Sequence, residues 1–434
     1  MRKPISIAFI VRDPLPPVRA DLLTLFGAEL PRHGVGTELV GQAGGVAGAW
    51  HAGWPAGRMH AIGSLASRFA SVLSPLWDGL GLLRARRGAR LDCVQVRDKI
   101  ASGLLGRLAA GLLRVPFVYW MSFPIVEGFE ARRDDLRRRG RTLPWLAHAA
   151  RAAASRWVIY RLVLPGAHHL FVQSEAMADW LAARGLPRAR MTAVPMGVDA
   201  ALFDRGRVKP SLDARLDGRR VLVYLGRVAR ARRSGFLLDV VELLRAEVPG
   251  VLLVLAGDAP SADEMAWMRA AIADRGLAAH VLLTGWLPQE AALGYAVRAE
   301  VGLSPIPRGA LYDVSSPTKL VEYLALGLPS VANDIPDQAA VIAASGAGLC
   351  APMEAPAFAA AVRRLLDDRA LAAACAARGP PWVLANRTYA ILGRRVADAY
   401  ARILPGRAAH HAGEGEVAAG SELNTGAGDA GRAE

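Results

Sequence analysis

The stretch Ser304–Asp334, SPIPRGALYDVSSPTKLVEYLALGLPSVAND, reads as a loop, a helix and a strand in succession. Ser316 suits the N-cap of the helix and Pro317 its first helical position. Gly327 stands where such a helix would stop, and Pro329 follows it. PSVAN then reads as a short buried strand. A helix start exposes unbonded backbone N–H groups at the positive end of the dipole, which together make a phosphate site. Glu322 shares a helix face with Thr318 and Lys319, four and three residues before it. One turn rises about 5.4 Å, roughly the step from a phosphate to its ribose. The pattern predicts a helix that holds a diphosphate at its tip and ribose hydroxyls on Glu322. An ordinary amphipathic helix with a solvated Glu322 fits the same residues.

Outward from this stretch, strand and helix patterns alternate. RRVLVYLGR, VLLVLAGD, HVLLTGW and EVGLSPI read as buried strands of the second half, and ISIAFIV, TELVG, LDCVQVRD, PFVYWMSF and HHLFVQS as those of the first. Continuous apolar runs separated by helical patterns predict parallel sheets in α/β domains. The expected division is a first Rossmann-like domain over 1–204, a linker over 205–218, and a second Rossmann-like domain over 219–385. A helix over 386–404, with Tyr389, Leu392, Val396, Tyr400 and Ile403 on one face, is placed to pack back on the first domain. Residues 405–434, rich in Gly, Ala and Glu, read as a disordered tail. Phe358 to Arg378 reads as helical. Two doubly wound domains place ligands at the carboxyl ends of their strands, so the cleft between them is the expected site.

The chain has 434 residues, is 53% hydrophobic and carries a net charge of +14. Residues 406–434 hold two arginines against five acids, so the rest of the chain is more positive still. This balance favours an anionic partner. The three cysteines are widely spaced, which gives neither a disulfide framework nor a metal-ligand pattern and fits a reducing compartment. MRKPISIAFIV is too short an apolar run for a signal peptide, and no 18-residue apolar run predicts a membrane span. From Gly57 to Arg90, Ile62, Leu65, Phe69, Leu73, Leu76, Trp77, Leu80 and Leu83 follow helical spacing among six arginines. They predict a basic amphipathic helix, either lying on a membrane or packed on the core. The basic run Ala131–Arg141 adds to an anionic-surface footprint or forms a solvated loop.

VLVYLGRVARARRSG sets Arg227 just beyond a buried strand and Gly226, with Arg230, Arg232 and Arg233 close behind. A guanidinium can clamp phosphate with two parallel bonds. Facing the helix tip, this loop would neutralise a diphosphate.

Taken in order, these segments resemble the GT-B glycosyltransferases of family 4, over about residues 5 to 404. HHLFVQSEAMADWLAARGLPRARMTAVPMGVDAALF resembles the family's domain junction. YLGRVARARRSGFLLD resembles its diphosphate loop, and VLAGD, HVLLTGWLP, VGLSPI and SPTKLVEYLALGLPSVAN follow in the family's order. The resemblance implies an α/β GT-B fold, two Rossmann-like doubly wound domains facing a central cleft. It implies a retaining transfer from a nucleoside-diphosphate sugar to a glycan or lipid-linked acceptor. It assigns Arg227, with Arg232 or Arg233 in place of the family's Lys, to the diphosphate and Glu322 to the ribose. Gly226, Gly257, Ser316, Pro317, Thr318 and Lys319 complete the expected donor site. Pro16, Pro17, Arg19 and Ser122 are the acceptor-side candidates. No metal or other cofactor is implied, and no Asp-x-Asp motif occurs. The expected setting is cytoplasmic, peripheral at the inner membrane face.

The chain departs from the pattern at three places. The first Glu of the family's Glu-x7-Glu pair falls at Val314, beside Asp313. Pro14–Arg19 replaces a Gly-Gly loop. Ser122 stands where the family often has His. A nucleotide-sugar epimerase and an inactive nucleotide- or glycan-binding protein are the competing readings. Nucleic-acid binding rests on charge alone, without a motif.

Overall fold

The computed structural model describes residues 4–44 and 53–405. The expected tail over 405–434 lies outside the described residues, apart from Pro405.

The apolar runs form strands because both of their faces are covered by helices. The first sheet holds β1 (Ile5–Ile10), β2 (Val35–Ala43), β3 (Met59–Ser64), β4 (Cys93–Arg97), β5 (Phe117–Met121), β6 (His169–Val172) and β7 (Met191–Ala193). The second holds β8 (Arg220–Leu225), β9 (Val251–Ala256), β10 (Val281–Gly285), β11 (Val301–Ser304), β12 (Ser330–Asn333) and β13 (Gly348–Ala351). Their orders are β3-β2-β1-β4-β5-β6-β7 and β10-β9-β8-β11-β12-β13. Neighbouring strands within each sheet pair in parallel. Each order reverses direction at its centre, between β1 and β4 and between β8 and β11, and a doubly wound sheet opens its ligand crevice at that point. The two-domain α/β expectation therefore stands.

Several local expectations do not. The first part of the predicted basic helix is β3, paired to β2 from Leu39↔Met59. His60 Nε2 lies 2.7 Å from Glu38 Oε2 and helps hold that register. The helix itself runs only over Ala70–Gly88. The basic run near Arg137 is largely helical rather than a loop, and only some of its arginines are paired. It ends the helix Ile125–Arg138, where Arg132 and Arg139 both pair with Asp135. Phe358–Arg378 spans two helices, because Asp368 breaks the first and caps the second by accepting the Leu371 N–H at 2.9 Å.

The domains exchange apolar contacts. Val198 and Phe203 belong to the core on one face of the second sheet. Val314, from the second domain, belongs to the core of the first. The last helix, Tyr389–Ile403, lays Tyr389, Leu392, Val396 and Tyr400 against Leu22, Phe26 and Phe171. Tyr400 also donates its hydroxyl to Gln95 Oε1, a bond that spans 305 residues of sequence. The last described helix thus packs on the domain that holds β1.

Leu392 is fully buried in this contact. Leu392→Ala should lower stability by about 2–5 kcal/mol, the range for a buried leucine that leaves a cavity. Urea unfolding measures this. A loss below about 0.5 kcal/mol, typical of surface positions, would mean the last helix is not docked.

Candidate functional site

The second domain's wall of the candidate site is built where β8 and β9 end. Gly226 adopts φ +139° and Gly257 φ +156°, backbone that side chains rarely tolerate. A Cβ on Gly257 would stand 2.3 Å from the Gly226 carbonyl oxygen, and one on Gly226 2.7 Å from Lys319 Cε. Both positions need glycine because backbone and the Lys319 stem fill the space. The helix Thr318–Ala325 is pinned to the end of β8: the Leu225 N–H donates to the Tyr323 hydroxyl oxygen at 2.7 Å. Lys319 is buried, with Nζ 5.0 Å from the centre of the Tyr224 ring.

The helix start differs from the expected one by a residue. Pro317 is the N-cap, and Ser316 makes no capping bond. Ser316 Oγ instead donates to Asp337 Oδ2 at 2.8 Å and accepts the Met196 N–H at 3.0 Å. Arg387 Nη2 meets Asp337 Oδ1 at 2.7 Å, and its Nη1 reaches Ser316 Oγ at 3.3 Å. Ser316 is therefore a buried tie between the domains, with its hydroxyl already engaged.

Glu322 sits one turn along, half-buried. Burial pushes its carboxyl above the ordinary Glu range, while Lys319 and a hydrogen bond with Thr318 pull the other way. In the arginine loop, Arg230 pairs with Glu264 and stacks over Trp267. Among the described residues Arg227, Arg232 and Arg233 have neither ion pair nor hydrogen-bonded side chain. Arg232 lines the cleft. Arg233 is exposed at φ +52°, at the end of a short turn, and does not line it.

The Val314 position is now explained. Its side chain is buried in the first domain's core, and its carbonyl accepts the Ser174 hydroxyl at 2.7 Å. Asp313 does not replace the missing carboxylate, because Arg308 Nε binds it at 2.8 Å and Arg308 Nη1 also holds Asp334 at 2.9 Å.

The first domain's wall lies at the ends of β1 and β4. Arg19 lines the cleft and holds Asp21 through Nε and Nη2, both at 3.0 Å. Pro16 and Pro17 do not line it; Pro14 does. Ser122 lines the cleft too, but its hydroxyl donates to Asp98 and its N–H reaches Asp98 Oδ1 at 2.9 Å. Asp98 was not singled out in the sequence. It is a non-glycine residue at φ +51°, directly after β4, and it lines the cleft. Burial pushes its carboxyl up, against the pull of Arg97 and Ser122. The available signal was an Arg-Asp pair closing an otherwise apolar strand. Arg97 is fully buried, donates to Asp21 Oδ2 at 2.6 Å, and leaves Nη1 without a partner.

These walls enclose a cleft cavity of about 750 Å³. Of the predicted donor residues, Arg232, Ser316, Pro317, Thr318 and Lys319 line it. Gly226, Gly257, Arg227, Arg233 and Glu322 stand outside its lining; the two glycines shape it from behind Lys319. Among the described residues no cluster of three or more His, Cys, Asp or Glu is placed to hold a metal ion.

Residues 219–368 match the family model for glycosyl transferases group 1, and residues 23–197 that for the glycosyl transferase 4-like domain. A GDP-mannose-dependent alpha-(1-6)-phosphatidylinositol monomannoside mannosyltransferase of Mycobacterium tuberculosis is 30% identical over 52% of this chain and 60% of its own length. The chain thus spans about three fifths of that relative. A 2-deoxystreptamine glucosyltransferase of Streptomyces kanamyceticus is 25% identical over 69% of this chain and 74% of its own. Among solved structures, sucrose-phosphate synthase of Thermosynechococcus elongatus superposes with a TM-score of 0.68 at 17% identity, covering 92% of this chain and 99% of that one. Anabaena HepE in complex with UDP and glucose gives 0.62 at 16% identity, with 92% and 99% covered.

The wall also has an acid-sensitive component. Burial alone would raise the Asp21 carboxyl, but Arg97 and Arg19 outweigh it and hold it at about 2. A carboxylate depressed in the fold stabilises above its unfolded pKa, and that contribution fades as pH falls from about 4 towards about 2. Urea unfolding across this interval should show a decline in the wild type that Asp21→Asn lacks, the variant being weaker at neutral pH. Parallel curves would contradict the assignment.

Proposed function

Since the chain belongs to the group 1 glycosyltransferases of family 4, with the GT-B fold, we propose that it moves a sugar from a nucleoside-diphosphate donor to a glycan or lipid-linked acceptor. The observation that carries this is the cleft itself. Two strand-order reversals open on it, and the second domain's wall carries Arg232 and Lys319 without ion pairs beside a glycine-shaped backbone. The diphosphate lies against the N-terminus of the helix Thr318–Ala325, between Lys319 and Arg232, with Arg227 closing over it. Glu322 accepts from the ribose hydroxyls. The transfer is retaining: the C–O bond to the diphosphate breaks, the acceptor's hydroxyl oxygen bonds to the anomeric carbon on the same face, and an oxygen of the departing diphosphate takes the hydroxyl proton. The protein's part is to orient both partners and to meet charge with fixed donors. The arginines and Lys319 supply that charge, so the reaction proceeds without metal.

The acceptor's setting is the anionic membrane surface. Phe69, Val72, Leu76, Leu80 and Leu83 are exposed along one stripe of the helix Ala70–Gly88, at spacings of three and four residues. Arg84, Arg86 and Arg87 close its end and are exposed and unpaired among the described residues. No described helix is long and apolar enough to cross a membrane. An apolar stripe with a basic end suits lying on one.

A thermal-shift screen with UDP, GDP and ADP identifies the base, since a ligand stabilises the fold by its occupancy. Arg227→Ala and Glu322→Ala should each reduce transfer at least about a hundredfold, the scale for removing one charge-stabilising donor. Near-normal rates in both would sink the site. EDTA should leave the wild-type rate unchanged. Without any acceptor, a sugar that changes configuration while still bound to the nucleotide would favour the epimerase reading, whereas transfer frees the nucleotide. Reversing Arg84, Arg86 and Arg87 to Glu should abolish flotation with anionic vesicles; unchanged flotation removes the membrane contact.

A further inference from the structure

A second cavity, of about 700 Å³, lies in the first domain beside the cleft. Its wall is mainly apolar, with Leu65, Ile100, Leu104, Phe129 and Val158 among the residues that form it. The polar groups on its floor are already satisfied by each other. Lys99 Nζ donates to both oxygens of Asp78, at 2.8 and 2.9 Å, and to Gln42 Oε1 at 2.8 Å. Asp78 also accepts from Ser102 Oγ at 2.6 Å and Gln42 Nε2 at 2.7 Å. This floor asks nothing of a ligand.

Two cations on the wall are different. Arg12 makes no ion pair or hydrogen bond among the described residues, and it is exposed. Arg151 is held only by stacking over Phe129, 4.5 Å from the ring centre. Two guanidinia without a carboxylate partner, on the wall of an apolar pocket, fit an amphiphilic anion. The pocket is also connected at both ends. Arg12 and Asp98 line this cavity and the cleft alike. In the other direction, Leu104 continues along its helix at four-residue steps to Leu108 and Leu112, both exposed.

We propose that this cavity receives the first part of the hydrocarbon chain of a lipid-phosphate acceptor. The phosphate lies between Arg12 and Arg151, the acceptor sugar or hydroxyl passes Asp98 into the cleft, and the chain leaves along Leu108 and Leu112. The proposal rests on the transferase reading of the cleft and adds the acceptor's chemical class.

Calorimetric titration of the full chain with monodecyl phosphate, below its micelle-forming concentration, tests it beside inorganic phosphate. Decyl phosphate should bind at one site at least tenfold more tightly than inorganic phosphate. Ala154→Trp and Ala101→Trp, on two different helices of the wall, should each weaken it at least tenfold while leaving nucleotide binding at the wild-type level. The Arg12→Ser, Arg151→Ser pair should weaken it to a similar degree. Decyl phosphate binding no better than inorganic phosphate, or wild-type affinity in both tryptophan variants, overturns the proposal. A wild type that binds decyl phosphate as described but no nucleotide supports the pocket and counts against the transferase reading instead.

Discussion

The arrangement of this molecule depends on one buried polar knot. Ser316, Asp337 and Arg387 bind one another and reach the Met196 backbone across the domain boundary. Arg387 and Asp337 are each almost wholly enclosed. A buried ion pair adds little against a well-packed apolar alternative, but removing one partner strands a charge, at about 3–5 kcal/mol. Such a knot fixes geometry more than it adds stability. Here it fixes the tip of the helix Thr318–Ala325 against the first domain, and with it the distance between the two walls of the cleft.

The two walls differ in how they handle charge. On the second domain, Arg227, Arg232 and Lys319 have no carboxylate partner, so their field points into open space. On the first, Arg19 and Arg97 are bound by Asp21, and Asp98 is bound by Ser122. The second domain's wall is mainly a preorganised cation, whereas among the described arginines that line the cleft from the first domain only Arg12 lacks a carboxylate partner. Fixed cations of this kind meet an anion with little reorganisation.

Much of the fold was legible because parallel strands buried on both faces must be almost wholly apolar. FVYWM, VLLVLA and RVLVYL leave little choice. β3 was not legible, since its residues are half-exposed and MHAIGS carries no apolar run. β13 is four residues long with an exposed Cys350, and gave no signal either. Within the site, the glycine turns and the arginine loop could be read locally. The N-cap could not: Ser316 looks like a cap in isolation, and only the arrival of Asp337 and Arg387 takes its hydroxyl away. Asp98 and Ser122 are likewise joined by the register of β4 against β5, which no local pattern encodes.

Val314 carries a kinetic consequence. Where related chains are expected to carry a carboxylate for the sugar, this one carries an apolar plug seated in the opposite domain. Any rotation that widens the cleft must draw that plug into water, at about 1.5–3 kcal/mol for a side chain of this size. Such a penalty makes the open form about ten- to a hundredfold scarcer. Val314 would then act as a latch between the two domains, holding shut whatever the cleft encloses.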